Sequence, residues 1–363
     1  MRAGGYAMRT LLKPAAGLTC LFALATAGCS AGSDGTSDTA PEVSKNAGSS
    51  PNDPSDPSDP SDASAPSGQE TATAYAPYVS ATEASDLDSN GSPTTYQLAF
   101  VISDGSGCTP KWNGTRAIGD SRLKSRTSRL TQGGATVRVS FGGASGEELA
   151  ATCDSASELA AAYGEALDAA GSTQADFDIE GDELTDDRSV GLRSEAIALL
   201  QKERTDLGVS FTLPVMPSGL DADSLALLAS ANEHDVQVST VNLMTMNYGE
   251  SYDGDMGDYA LTSAKAAHTQ LKKVFGLSDA AAWRGMALTS MIGVNDVAGE
   301  TFTVADAAQV RTFAEEKKLA WVSMWSALRD QQCEGDDAAS DDAATDCSGV
   351  RQSPGAFAQA FAG

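Results

Sequence analysis

From Tyr75 onward the hydrophobic pattern keeps switching period. Short runs rich in β-branched and aromatic residues alternate with stretches whose apolar residues recur three and four apart. The β-rich runs fall at 75–81, 95–103, 136–144, 175–181, 209–217, 236–249, 285–296 and 319–330. Helical candidates lie between them, among them SELAAAYGEALDAA from Ser157 and DAAQVRTFAEEKK from Asp306; the first interval, TEASDLDSNGSPT, reads as loop. Parallel strands need a crossover long enough to hold a helix, so this alternation predicts an α/β chain with a parallel sheet. Eight repeats over roughly 285 residues predict closure into a (β/α)8 TIM barrel, one domain spanning residues 73–363. A doubly wound open sheet is the alternative. It would carry a glycine-rich phosphate turn after an early strand, and neither GxGxxG nor GxxxxGK[ST] occurs.

The residues before the barrel read as address and spacer. Arg2, Arg9 and Lys13 precede the apolar run Leu18 to Ala27, which meets Gly28-Cys29-Ser30, the layout of an export signal over residues 1–28. That run is too short for a lasting transmembrane anchor. Ala25-Thr26-Ala27 suits ordinary signal peptidase, whereas Ala27-Gly28-Cys29 is similar to a bacterial lipobox that would lipidate Cys29. Cysteine counting favours the lipobox: Cys20 leaves with the signal, Cys29 takes the lipid, and Cys108, Cys153, Cys333 and Cys347 remain to pair in an oxidising compartment. Residues 29–72 contain PNDPSDPSDPSDASAPS, without one large apolar residue, and are expected to form an extended, disordered stalk. The expected location is extracellular, as a cell-surface lipoprotein or a freely secreted protein, with Cys29 the only membrane link.

Charge narrows the partners. With 24 Lys+Arg against 50 Asp+Glu, the net charge of -26 would repel a phosphate backbone, so no nucleic-acid partner is expected. His234 and His268 are the two histidines and flank different elements, so no metal and no cofactor is expected. A monomer is expected.

Chemistry concentrates in the fourth β-rich run. Asp176, Asp178 and Glu180 stand two residues apart, so strand alternation puts all three on one face, while Phe177 and Ile179 face the helices. Three carboxylates inside a barrel cannot all ionise easily, so at least one should be pushed toward a pKa at which it donates a proton. An acidic strand end facing solvent, or a divalent-ion site, is the bland reading. An exposed strand would not need the apolar partners on its other face.

The run ADFDIEG resembles the DxxDxDxE signature of glycoside hydrolase family 18, the chitinase family. Ser140-Phe141-Gly142-Gly143 is similar to the family's SxGG motif, Met244-Thr245-Met246-Asn247-Tyr248 to its sixth-strand motif, and Ser323-Met324-Trp325-Ser326 to its eighth-strand tryptophan. The flanking runs look most like the branch that contains archaeal chitinase catalytic domains. The resemblance implies hydrolysis of β-1,4-linked N-acetylglucosamine polymers by a retaining mechanism in which the substrate's N-acetyl group is the nucleophile. It implies Glu180 as acid and then base, Asp178 orienting the acetamide, Asp176 holding Asp178, and Trp325 flooring the sugar site. Ser140, Gly142, Gly143, Met246, Asn247, Tyr248, Asp296 and Tyr78 are the further substrate-binding candidates. The first Asp of the signature would fall at Thr173, and the resembled branch leads one to expect Asp where Asn247 stands. An endo-β-N-acetylglucosaminidase acting on N-glycans, and a carbohydrate-binding barrel weak in catalysis, share these residues and stay open.

Other residues read more plainly. Trp112 and Tyr75 could stack on sugars or pack in the core, and Asn295 could join Asp296 on substrate. Arg122, Lys124, Arg126 and Arg129 read as the solvated face of a helix. His234 and His268 read as surface or boundary residues. Four cysteines allow three pairings. Cys333 with Cys347 would close the acidic loop between them, and Cys108 with Cys153 would join loops that a barrel makes neighbours.

Overall fold

The computed structural model describes residues 72–335 and 343–363; the expected signal peptide, the stalk and Cys29 lie outside the described residues. Every β-rich run carries a strand. β1 comes in two pieces, Ala74–Tyr75 and Tyr78–Ser80. It is followed by β2 (Thr95–Ser103), β3 (Thr136–Gly142), β4 (Gln174–Asp178) and β5 (Gly208–Pro214). β6 (Val238–Met244), β7 (Met286–Met291) and β8 (Trp321–Trp325) complete the set. From β2 to β8 each strand pairs in parallel with the next. The first piece of β1 pairs with β8 and the second with β2, so the sheet closes on itself at β1. The architecture is the (β/α)8 barrel, not the open sheet.

Among the described residues seven longer helices surround it: α1 (Ser121–Leu130), α2 (Ala156–Ala170), α3 (Asp187–Glu203), α4 (Ala222–Glu233), α5 (Met256–Phe275), α6 (Val304–Lys317) and α7 (Ala356–Ala362). Part of the acidic excess marks where they start. Asp120, Asp186, Asp221 and Asp255 cap α1, α3, α4 and α5, each accepting a free backbone N–H of the first turn. Thr303 and Asp306 form a reciprocal capping box on α6.

No helix follows β1, in keeping with the turn-rich composition there. Asp88 of that loop is held by Arg126 of α1 at 2.8 Å, and Arg126 Nε also donates to the Ser80 carbonyl at 2.6 Å. Arg126 is 5% exposed, which corrects its reading as part of a solvated face. Arg122, Lys124 and Arg129 are exposed. The α7 helix, which the sequence pattern did not announce, packs Phe361 against Tyr75 of β1 and Phe302. Asp330 anchors it by accepting the N–H groups of Phe357 and Ala358 at 3.0 and 2.8 Å. Tyr75 and Trp112 are therefore core residues.

Both cysteine pairings form as expected, Cys108 with Cys153 and Cys333 with Cys347. His234 is exposed, whereas His268 is buried and stacks on Trp283 at 3.8 Å, which corrects its surface reading.

Alternation sorts the strand residues as expected. Phe141, Phe177 and Phe211 point out of the barrel, where Tyr163 of α2 meets the first two. Ser140, Asp176 and Ser210 stand abreast on β3, β4 and β5 and point inward.

Candidate active site

Asp176 lies deepest and is surrounded by hydroxyls. Ser140 donates to it at 2.8 Å, Ser210 at 2.6 Å and Thr212 at 2.9 Å, and the Tyr78 hydroxyl lies at 3.1 Å. Asn242 supports Thr212 from below through Nδ2 at 3.0 Å. These contacts fix the Asp176 carboxyl in one orientation, which a buried carboxyl requires.

Asp178 sits one strand repeat higher. Its Oδ2 lies 3.3 Å from the Tyr78 hydroxyl, while Oδ1 is buried with no N–H or hydroxyl donor. Burial, then the neighbouring Glu180 and Asp176 carboxyls, push the Asp178 pKa well above the usual carboxylate range. Glu180 shares a hydrogen bond with Asp178. Burial raises the Glu180 pKa most, that hydrogen bond opposes the rise, and the Asp296 charge adds to it. The ladder thus runs from a locked carboxyl, through a proton-sharing one, to an acid at the cleft.

Trp325, Tyr78 and Phe100 form the aromatic base of an open cleft of about 480 Å³ above these acids. Trp325 stacks on Phe100 with ring centroids 5.5 Å apart and meets the edge of Tyr78 at 5.6 Å. A flat apolar floor beside a proton donor suits the C–H face of a pyranose ring. Met246, Asn247 and Asp296 form part of the cleft wall with Asp178 and Glu180. Asn247 Nδ2 donates to Asp296 Oδ2 at 3.2 Å, and its Oδ1 accepts the Asp296 N–H at 3.1 Å. An aspartate at residue 247 would put two carboxylates in contact there.

Several expected contacts fall elsewhere. Ser140 is fully buried and serves Asp176, not the cleft. Gly142 and Gly143 have φ of 97° and 93° and let β3 approach its neighbours: a side chain on Gly142 would collide with the Asp178 carbonyl, and one on Gly143 with the Phe100 ring. Neither glycine lines the cleft. Tyr248 also points away, packing with Tyr252 and Tyr259 of the loop and helix that follow. β6 ends at Met244, and the positive φ of 53° at Asn247 breaks the alternation that would have turned Tyr248 inward. Asn295 is buried and donates to the Met291 and Gly293 carbonyls, so it shapes the loop. Phe100 was missed because a register shift between Leu98 and Val101 undoes the simple alternation of β2.

The Asp296 charge gives a pH prediction. A neighbouring anion disfavours ionisation of Glu180, so Asp296→Asn lowers the Glu180 pKa. If protonated Glu180 is the working acid, the alkaline limb of kcat/KM moves to lower pH in this variant. An alkaline limb left in place would remove Asp296 from that role.

No family model matches the chain. Over 275 residues it is 34% identical to the probable bifunctional chitinase/lysozyme of Escherichia coli K12, covering 70% of this chain and 31% of that protein. It is 33% identical over 276 residues to endochitinase 11 of Metarhizium anisopliae, covering 70% and 52%. The chain therefore spans about half or less of the curated relatives it matches. Among solved structures, active domain 2 of the Pyrococcus furiosus chitinase, as catalytic site mutants, superposes with a TM-score of 0.71 at 27% identity over 80% of this chain and 94% of that one. A further structure of that domain holds chito-oligosaccharides.

Proposed function

We propose that this barrel, similar to the two chitinases and to the archaeal chitinase domain, is a glycoside hydrolase of family 18 that hydrolyses β-1,4-linked N-acetylglucosamine chains with retention. The observation that carries the reading is the Asp176–Asp178–Glu180 ladder under a cleft floored by Trp325. Glu180 gives its proton to the glycosidic oxygen as the bond to C1 breaks. The acetamide oxygen of the same sugar attacks C1, and the Asp178 carboxyl, ionised at that stage, is suited to receive the acetamide N–H and offset the oxazolinium charge. Glu180, now a carboxylate, takes a proton from the water that opens the ring. No nucleophilic side chain is required. That fits a ladder in which Glu180 and Asp178 reach the cleft and Asp176 is locked among hydroxyls beneath them.

Export belongs to the same proposal. The signal-like residues 1–28 and Cys29 support it, as do two disulfides, which form and persist in oxidising compartments.

The test uses chitohexaose and a labelled N-glycan with NMR detection of the first-formed anomer. Cleavage of chitohexaose giving the β-anomer is expected, with the N-glycan intact. Cleavage of the N-glycan core alone would transfer the reading to an endo-β-N-acetylglucosaminidase, and no cleavage of either would leave a binding protein.

A further inference from the structure

The clip between Asn247 and Asp296 joins two loops, and a third residue holds both. Glu300 lies in the loop after β7, just before the short strand Thr301–Phe302, which pairs with Gly293–Val294. Its main chain closes that loop: Glu300 N–H donates to the Val297 carbonyl at 3.2 Å, and its carbonyl accepts the Asn295 N–H at 3.0 Å. Asp296 is thereby fixed on a tight turn. The side chain then crosses to the loop after β6, where Oε1 accepts the Gly249 N–H at 2.8 Å. Oε2 is buried with no hydrogen-bond partner among the described residues, and burial raises the Glu300 pKa while the backbone N–H groups of Gly249, Tyr248 and Asn247 oppose the rise. Glu300 is 1% exposed and makes no ion pair among the described residues.

A carboxyl buried without a cation is costly unless several dipoles converge on it. Here the Gly249 N–H is the one donor within hydrogen-bond distance among the described residues, in a segment that bends through the left-handed conformation at Asn247. Glu300 therefore ties the loop at Gly249, two residues beyond Asn247, to the loop that carries Asp296. The two loops are cross-linked twice, once inside the protein and once on the cleft wall.

We propose that Glu300 is a positioning residue for sugar recognition. It sets the Asn247–Asp296 pair as one rigid polar wall opposite the aromatic floor, so that the pair meets the bound sugar in a fixed geometry. The inference rests on the glycosidase reading and adds a residue that never touches substrate. The asparagine suits that wall: its amide gives one hydrogen bond to Asp296 and takes another, while Glu300 holds the same loop at Gly249.

The experiment is a double-mutant cycle on chitotetraose hydrolysis with Glu300→Ala, Asp296→Ala and the pair. Glu300→Ala is expected to raise KM about tenfold, the loss of one or two hydrogen bonds to sugar, with kcat changed much less. In the Asp296→Ala background the same change is expected to add little, because the wall it positions is already gone. Glu300→Gln keeps an acceptor for Gly249 and should fall between wild type and Glu300→Ala, which guards against a variant that merely folds badly. Additive effects on KM, or a loss confined to kcat and melting temperature, would overturn the positioning role. A wild-type protein that leaves chitotetraose uncut would instead overturn the functional reading, before any variant is compared.

Discussion

Glu180→Gln is expected to lower kcat on chitohexaose by about a thousandfold while oligosaccharide binding is kept, since a positioned acid supplies about 10²–10⁴ in rate. Glutamine has the same shape but no proton to give and no base to offer afterwards. Both chemical steps therefore suffer. The leaving group tells an acid from a structural residue. A sugar leaving group must be protonated as the bond breaks, whereas a nitrophenolate leaves as a stable anion. The first-step loss should thus be far smaller on a 4-nitrophenyl glycoside of chitobiose, measured as the burst of nitrophenolate. The variant should also change its neighbour: Glu180 is the largest charge effect raising the Asp178 pKa, so neutralising it makes Asp178 easier to ionise. An equal loss on both substrates would mean that Glu180 shapes the cleft and does not protonate the leaving group.

The ladder was legible because strand alternation is a strict geometric rule. Asp176, Asp178 and Glu180 could share a face in a strand only at that spacing, and Phe177 marked the other face. Trp325, at the inward end of the last strand, was legible through the eighth-strand motif it resembles and not through alternation. Legibility stopped where the strands stop. The shift in β2 brings Phe100 to the cleft, and the bend at Asn247 takes Tyr248 from it. Glu300 and Gly249 are 51 residues apart, in two loops with no periodicity, and nothing local marks a glutamate whose partners are backbone N–H groups. Arg126 is similar: its charge suggested solvent, and only the fold supplies Asp88 and the Ser80 carbonyl. Sequence reasoning located the groups that do the chemistry better than those that hold the walls.

Gly142→Ala offers the sharpest test of how closely the fold and the acids are joined. Two effects act at that residue. Its φ of 97° is unfavourable for any residue with a β-carbon, and the added methyl would collide with the Asp178 carbonyl on the adjacent strand. Gly171, at the left-handed end of α2 with φ 63°, faces open space and isolates the first effect. Gly171→Ala should cost about 1 kcal/mol and leave kcat unchanged. Gly142→Ala should cost at least about 2 kcal/mol more, lowering the melting temperature by several degrees in a domain of this size. Its larger consequence is for catalysis. The Asp178 carbonyl also accepts the Gly143 N–H at 2.8 Å, so relief requires β3 and β4 to shift apart at Asp178, two residues before Glu180. A displacement of even 1 Å there is expected to lower kcat by about a hundredfold, because Asp178 and Glu180 must meet the same sugar together. Equal kcat in the two alanine variants would show that the strand can move without disturbing the ladder.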